Sequence, residues 1–179
     1  ATGTDLFIEA IRAYRLAVRR RRTPRAVGGL TWDELWSGTQ RWSLVRQLRP
    51  LILEHEQPLA MISLPQAWAG AGRRRRKSGP APTGETVLVE TTDALLQAVR
   101  EPDAGPKSRG YGLNFMCMPG HVIRGAAVVE SDGRDGPPAL RLTLATDSAE
   151  MAMDVPFDES CRPRARQIVG RLVGSDRHD

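Results

Sequence analysis

The feature that most constrains the fold is a pair of short apolar runs separated by a cationic loop. Leu59-Ala60-Met61-Ile62-Ser63-Leu64-Pro65 leads into Gly70-Ala71-Gly72-Arg73-Arg74-Arg75-Arg76-Lys77, and Thr86-Val87-Leu88-Val89-Glu90 follows. The first run is almost continuously apolar, the pattern of a strand covered on both faces. Residues 69–85 are rich in Gly, Pro, Ser and Arg and read as a loop. Two buried strands flanking a polycationic loop point to an α/β core that offers positive charge to a polyanion.

The flanking sequence supplies helices before these runs and hairpins after them. Residues 5–21 read as a helix, with Phe7, Ile11, Tyr14 and Val18 at helical spacing on one face. Arginines 19–22 lie at its C-terminal end, where cations suit the helix dipole. Ala26 to Leu35 has two readings: a strand weakened by Gly28 and Gly29, or a capping box at Thr31-Trp32-Asp33-Glu34 opening a helix. Residues 40–56 give the clearest helical face, Leu44, Leu48, Leu51, Ile52 and His55, with a kink or restart expected at Pro50. Thr91 or Thr92 can cap a helix over Asp93 to Arg100. From Tyr111 the period becomes two, and 111–118, 121–130, 139–145 and 150–155 read as strands, with a turn over 132–138. Cys161 to Val173 reads as a final helix striped by Ile168, Val169 and Leu172. Residues 175–179 are expected to fray. Alternation followed by hairpins describes a sheet that is parallel in its first part and extended by antiparallel strands.

The chain has 179 residues, enough for one hydrophobic core, and a net charge of +5. Such a charge favours an acidic partner, nucleic acid above all. Only Lys77 and Lys107 among the 26 basic residues are lysines, a bias that a GC-rich genome also produces. Position says more than the total: the cations cluster at 19–25, 73–77 and 162–166. Cys117 and Cys161 have no metal-ligand spacing and make no disulfide framework, which fits a reducing, cytoplasmic or nuclear compartment. No apolar stretch approaches the roughly 18 residues of a membrane span, and no signal peptide is visible.

Several phrases resemble the second half of the RecA-like domain of the fourth Elongator subunit, the PAXNEB family. They are Trp42-Ser43-Leu44-Val45-Arg46-Gln47-Leu48-Arg49-Pro50-Leu51-Ile52-Leu53, the two apolar runs, and Tyr111-Gly112-Leu113 followed by Pro119. Gly112 stands where that family has His in a Tyr-His-Gly-Leu phrase. Leu30 to Trp36 falls where it has a strand and a Pro-Leu-Trp segment, which favours the strand reading there. The resemblance implies an α/β, P-loop-NTPase-like sheet over residues 1–174 that lacks the phosphate-loop half. It further implies a non-catalytic accessory subunit of a hexameric ring of paralogous RecA-like subunits. That ring binds tRNA for wobble-uridine modification.

The chemistry candidates are few. No Gly-x-x-x-x-Gly-Lys-Ser/Thr phosphate loop occurs, and no cofactor, metal site or catalytic residue is assigned. Arg73, Arg74, Arg75, Arg76 and Lys77 are the nucleic-acid-binding candidates: five adjacent cations repel one another and keep a loop extended until an anion neutralises them. A solvated loop is the plainer account, and no aromatic residue interleaves the run for base stacking. The alternative to the ring subunit is a stand-alone Arg-rich nucleic-acid-binding module of unrelated α+β fold. Asp33 fits a magnesium-binding acid or a helix-start carboxylate. Cys117 with His121, and His55 between Glu54 and Glu56, suit structural roles better than a nucleophile–base pair or a metal site. Trp32, Trp36, Trp42 and Trp68 require burial or an interface.

Overall fold

The structure, a computed structural model, describes residues 3–19, 30–37, 43–65, 84–101, 112–130, 136–145 and 149–174. Four helices appear in these residues: α1 (Gly3–Arg19), α2 (Trp32–Trp36), α3 (Leu44–Gln47) and α4 (Arg162–Gly174). The strands are β1 (Pro58–Leu64), β2 (Glu85–Thr91), β3 (Ala94–Arg100), β4 (Leu113–Pro119), β5 (Ile123–Val129), β6 (Ala139–Ala145) and β7 (Glu150–Pro156). They form two meanders, β1-β2-β3-β4 and β5-β6-β7, and every described pairing is antiparallel.

This overturns the expected RecA-like sheet with a parallel first part. The two apolar runs do neighbour each other, but β1 is an edge strand antiparallel to β2, with Ile62 opposite Leu88. Their near-continuous apolar character has another cause. The four-stranded sheet is covered on both faces, by helices on one side and by the second sheet with α4 on the other. Val87, Val89, Leu96 and Ala98 point to the helical side and pack with Leu35, Leu44, Val45, Leu48 and Leu51. Leu88, Leu95, Ala60, Ile62 and Met118 point the other way, onto Leu140, Leu142, Val155, Phe157, Ala165 and Ile168. Burial on both faces removes the polar alternation of a half-exposed antiparallel strand, so antiparallel strands imitate parallel ones.

The helix expected over Asp93 to Arg100 is β3. Ala, Leu and Gln favour helix in isolation, but pairing with β2 and β4 decides the outcome. Thr91 does act locally, though in a hairpin: its Oγ1 accepts from the amides of Asp93 (3.3 Å) and Ala94 (3.1 Å). A threonine hydroxyl caps turns and helices by the same bond, so the signal was real and its context was not.

Near Thr31 the capping-box reading holds, and Trp32 opens a helix instead of ending a strand; residues 26–29 of the strand reading lie outside the described residues. Thr31 Oγ1 accepts from the Glu34 amide, and the Glu34 carboxylate accepts from the Thr31 amide at 2.7 Å, opening α2. Over the described residues 43–56 the expected long helix is only the short α3, then a 3-10 turn at Arg49–Leu51 with Pro50 in it, then irregular chain with a turn at Glu54–His55. Pro50 fits the start of a new turn, where no amide is needed. Leu44, Leu48 and Leu51 are buried as expected.

In α1 the inward face is Ile8, Ile11 and Arg15, and Tyr14 is 54% exposed. The side chains of Phe7 and Val18 lie outside the described residues. Cys161, at the end of the preceding 3-10 turn, and Ala165, Ile168 and Leu172 of α4 are buried at helical spacing, in line with the expected final helix. The 175–179 tail and residues 132–135 of the expected turn lie outside the described residues.

Two glycines are required by geometry. A Cβ on Gly84 would fall 2.0 Å from the Arg100 carbonyl oxygen. Gly112 has φ 71 and its carbonyl accepts from the Glu101 amide at 2.8 Å. That conformation is costly for other residues, which accounts for glycine at this position.

Candidate functional site

The strand registers fix where the basic linkers are tethered. β1 and β2 last pair at Leu64 and Thr86, β2 and β3 at Glu85 and Arg100, and β3 and β4 at Arg100 and Leu113. Residues 65–84 and 101–112 therefore leave and re-enter the same end of the four-stranded sheet. The first linker carries Arg73, Arg74, Arg75, Arg76 and Lys77 and no acid, whereas the second carries Lys107 and Arg109 with Glu101 and Asp103. These seven cations lie outside the described residues; their anchors do not. Arg100, 6% exposed, donates to Glu85 across the hairpin mouth.

The root of the first linker adjoins the start of α4. The Asp158 amide donates to the Ser63 carbonyl at 2.8 Å, and Asp158 in turn caps the short turn leading into α4. Of the cations at 162–166, Arg162 is committed to the fold. It donates to Glu130 at 2.6 and 3.0 Å and to Glu159 through two nitrogens. Arg164 and Arg166 are exposed on the outer side of the same helix. The other end of α4 is held by Arg171, whose Nε and Nη2 grip the buried Glu90 at 2.7–3.1 Å.

The hydrogen bonds from Arg162 hold the Glu130 and Glu159 carboxyls below the ordinary glutamate value of 4.5. A carboxyl whose titration is lowered by folding contributes stability above its unfolded value and loses it as pH falls through the folded one. The clamp at the start of α4 should therefore weaken only below pH 4.5. Carboxyl-carbon NMR titration should place both midpoints under that value. Arg162→Ala should raise both; unchanged midpoints would remove Arg162 as the cause.

At the opposite end of the sheet lies a buried polar hub that sequence reasoning missed. Glu56 is fully buried and accepts from Arg15, from the Leu53 amide (2.7 Å) and from Thr91 Oγ1 (2.6 Å). Arg15 also donates to the Leu51 carbonyl, and Trp32 Nε1 donates to the Glu56 carbonyl at 2.7 Å. Trp32 stacks on Trp36 with ring centroids 5.4 Å apart. The hub thus locks α1, α2 and the β2–β3 turn together. One signal was available: Arg15 sits four residues after Ile11 on the inward face of α1, where a cation needs a buried acid.

The remaining candidates take structural places. Nε2 of His55 lies 2.8 Å from Asp93 Oδ2, and Glu56 is occupied by the hub, so the Glu54–His55–Glu56 segment forms no metal site. Among the described residues no group of three or more His, Cys, Asp or Glu could hold a metal. Cys117 packs towards the helical side of the sheet, and burial raises its thiol titration, the reverse of an activated nucleophile. His121 lies in the 3-10 turn after β4. Asp33 is an exposed acid in the first turn of α2. Trp42 and Trp68 lie outside the described residues. No described helix is long and apolar enough to cross a membrane.

The fold and its anchored linkers define a class: a two-sheet antiparallel sandwich, closed by a C-terminal helix and sheathed by N-terminal helices. No family model and no curated protein matches the chain. Among solved structures it is similar to a DUF1696 family protein with a pleckstrin-homology domain from Shewanella loihica PV-4. That match has 11% identity and a TM-score of 0.43, covering 82% of this chain and 96% of that one. It is also similar to the hSac2 domain from the human phosphoinositide phosphatase Sac2, with 11% identity and a TM-score of 0.44, covering 79% and 87%.

Proposed function

We propose that this chain is a nucleic-acid-binding module that presents the Arg73–Lys77 linker to a phosphate backbone. What supports the reading is one observation: the registers tether the Arg73–Lys77 linker to one end of the four-stranded sheet, the end that also anchors the 101–112 linker with its Lys107 and Arg109 beside Glu101 and Asp103. The exposed Arg164 and Arg166 stand on α4, whose leading turn is bonded to Ser63 at the root of the first linker. Adjacent cations on one tethered linker neutralise successive phosphates, and each contact releases a counterion. The ring-subunit reading depended on a parallel RecA-like sheet. With two antiparallel meanders in its place, Elongator membership loses its structural footing and is not carried forward.

The test is salt-dependent binding of a fluorescent single-stranded RNA and of duplex DNA by the chain and by a variant with Arg73–Lys77 changed to serine. Five lost phosphate contacts should flatten the logarithmic salt slope by about 3.5 for a single strand and about 4.5 for a duplex. Equal affinities and slopes would overturn the reading. So would binding to phosphatidylserine-containing vesicles without binding to either nucleic acid.

A further inference from the structure

The outward face of α1 is apolar, and nothing within the described residues covers it. Leu6, Ala10, Ala13 and Ala17 are exposed at i, i+4, i+7 and i+11, one line along the helix. Tyr14 and Leu16 flank that line. Of the six large hydrophobic residues that are exposed among those described, three stand on this helix: Leu6 at 60%, Tyr14 at 54% and Leu16 at 48%. A surface helix normally turns charge to water on the side opposite its core stripe. Here the core stripe is Ile8, Ile11 and Arg15, and the opposite side is a second apolar stripe.

We infer that this face is where a second copy of the chain docks, α1 against α1, antiparallel about a two-fold axis. Two features select a second copy over an unrelated apolar partner, and one register satisfies both. A two-fold interface must be self-complementary, each residue meeting its counterpart reciprocally. With the axis between Ala10 and Ile11, the rise of about 1.5 Å per residue brings Glu9 of each copy level with Arg12 of the other. Glu9 is exposed and Arg12 half-buried, both on the same flank of the stripe, and the two-fold axis sets matching flanks side by side. In that same register Leu6 of each copy falls between Ala13 and Ala17 of the other, a large side chain over two small ones. Alanines along the line let the helices approach to the short end of the usual 8–10 Å spacing. Two opposite-charge pairs and two knobs thus arise from one helix meeting itself.

The inference is tested by sedimentation equilibrium of the full chain at about 5–100 µM, followed by variants at the exposed Glu9, Ala10 and Ala13 and the half-buried Arg12. The expected result is a monomer–dimer equilibrium that Ala13→Glu shifts to monomer with thermal unfolding of the monomer unchanged. Glu9→Arg and Arg12→Glu should each weaken dimerisation at least tenfold. The chain carrying both changes should recover it, because the reciprocal pairs are regenerated. Ala10→Cys, beside the axis, should form a disulfide-linked dimer under mild oxidation. A monomer throughout the concentration range would overturn the inference, as would a dimer indifferent to Ala13→Glu or a double charge swap without recovery. None of these residues lies in the basic linkers, so failure here leaves the nucleic-acid reading intact.

Discussion

Glu56→Ala should lower the free energy of unfolding by about 3–5 kcal/mol, the range for breaking a buried ion pair from one side. Glu56 is 0% exposed and receives three donors, and Arg15 is 4% exposed. The substitution strands a guanidinium, a backbone amide and a hydroxyl where water cannot replace the lost acceptor. For a chain of this size the loss corresponds to a fall in Tm of roughly 6–20 °C. Glu56→Gln separates charge from shape: its side chain fills the same space but returns one donor towards groups that are already donors. It should still cost more than about 2 kcal/mol. Arg15→Ala in the Glu56→Ala background should cost much less than in the native chain, and the difference measures the coupling. Independent, additive losses in urea denaturation would show that the two side chains do not act as a pair.

Phe157→Ala should be comparably destabilising, about 3–5 kcal/mol, by a different mechanism. Phe157 is 0% exposed and packs where the second sheet, β1 and α4 converge. Its amide donates to the Pro138 carbonyl at 3.0 Å, and the next amide, Asp158, donates to Ser63. Truncating the ring removes apolar contact and leaves a void in a close-packed interior. Phe157→Leu retains most of the volume and should cost under about 2 kcal/mol. Equal losses for the two substitutions would indicate that the ring's volume is not what matters.

The course of the chain was legible where one physical signal dominated. The period-two stretches from Leu113 onwards are β4 to β7, and the stripe of Ile168 and Leu172 marks α4. The failures share a cause: local pattern does not reveal what lies across a sheet. Leu59 to Leu64 and Thr86 to Glu90 looked like parallel strands because helices and a second sheet enclose them. Ala94 to Arg100 looked helical because its propensities are helical, while two neighbouring ladders hold it extended. The polar hub joins residues as distant as Arg15, Glu56 and Thr91, and no spacing rule links positions so far apart. The basic tract was visible from composition alone; its tether at one sheet end became visible only from the registers.

Because successive residues of β2 and β3 serve opposite cores, the helices before Pro58 are integral to the sandwich. A shortened chain beginning at β1 would keep every described strand yet bare the greasy underside formed by Val87, Val89, Leu96 and Ala98. Such a fragment would stick to itself before it could be assayed. The smallest autonomous unit of this protein therefore reaches back into α1, well upstream of β1.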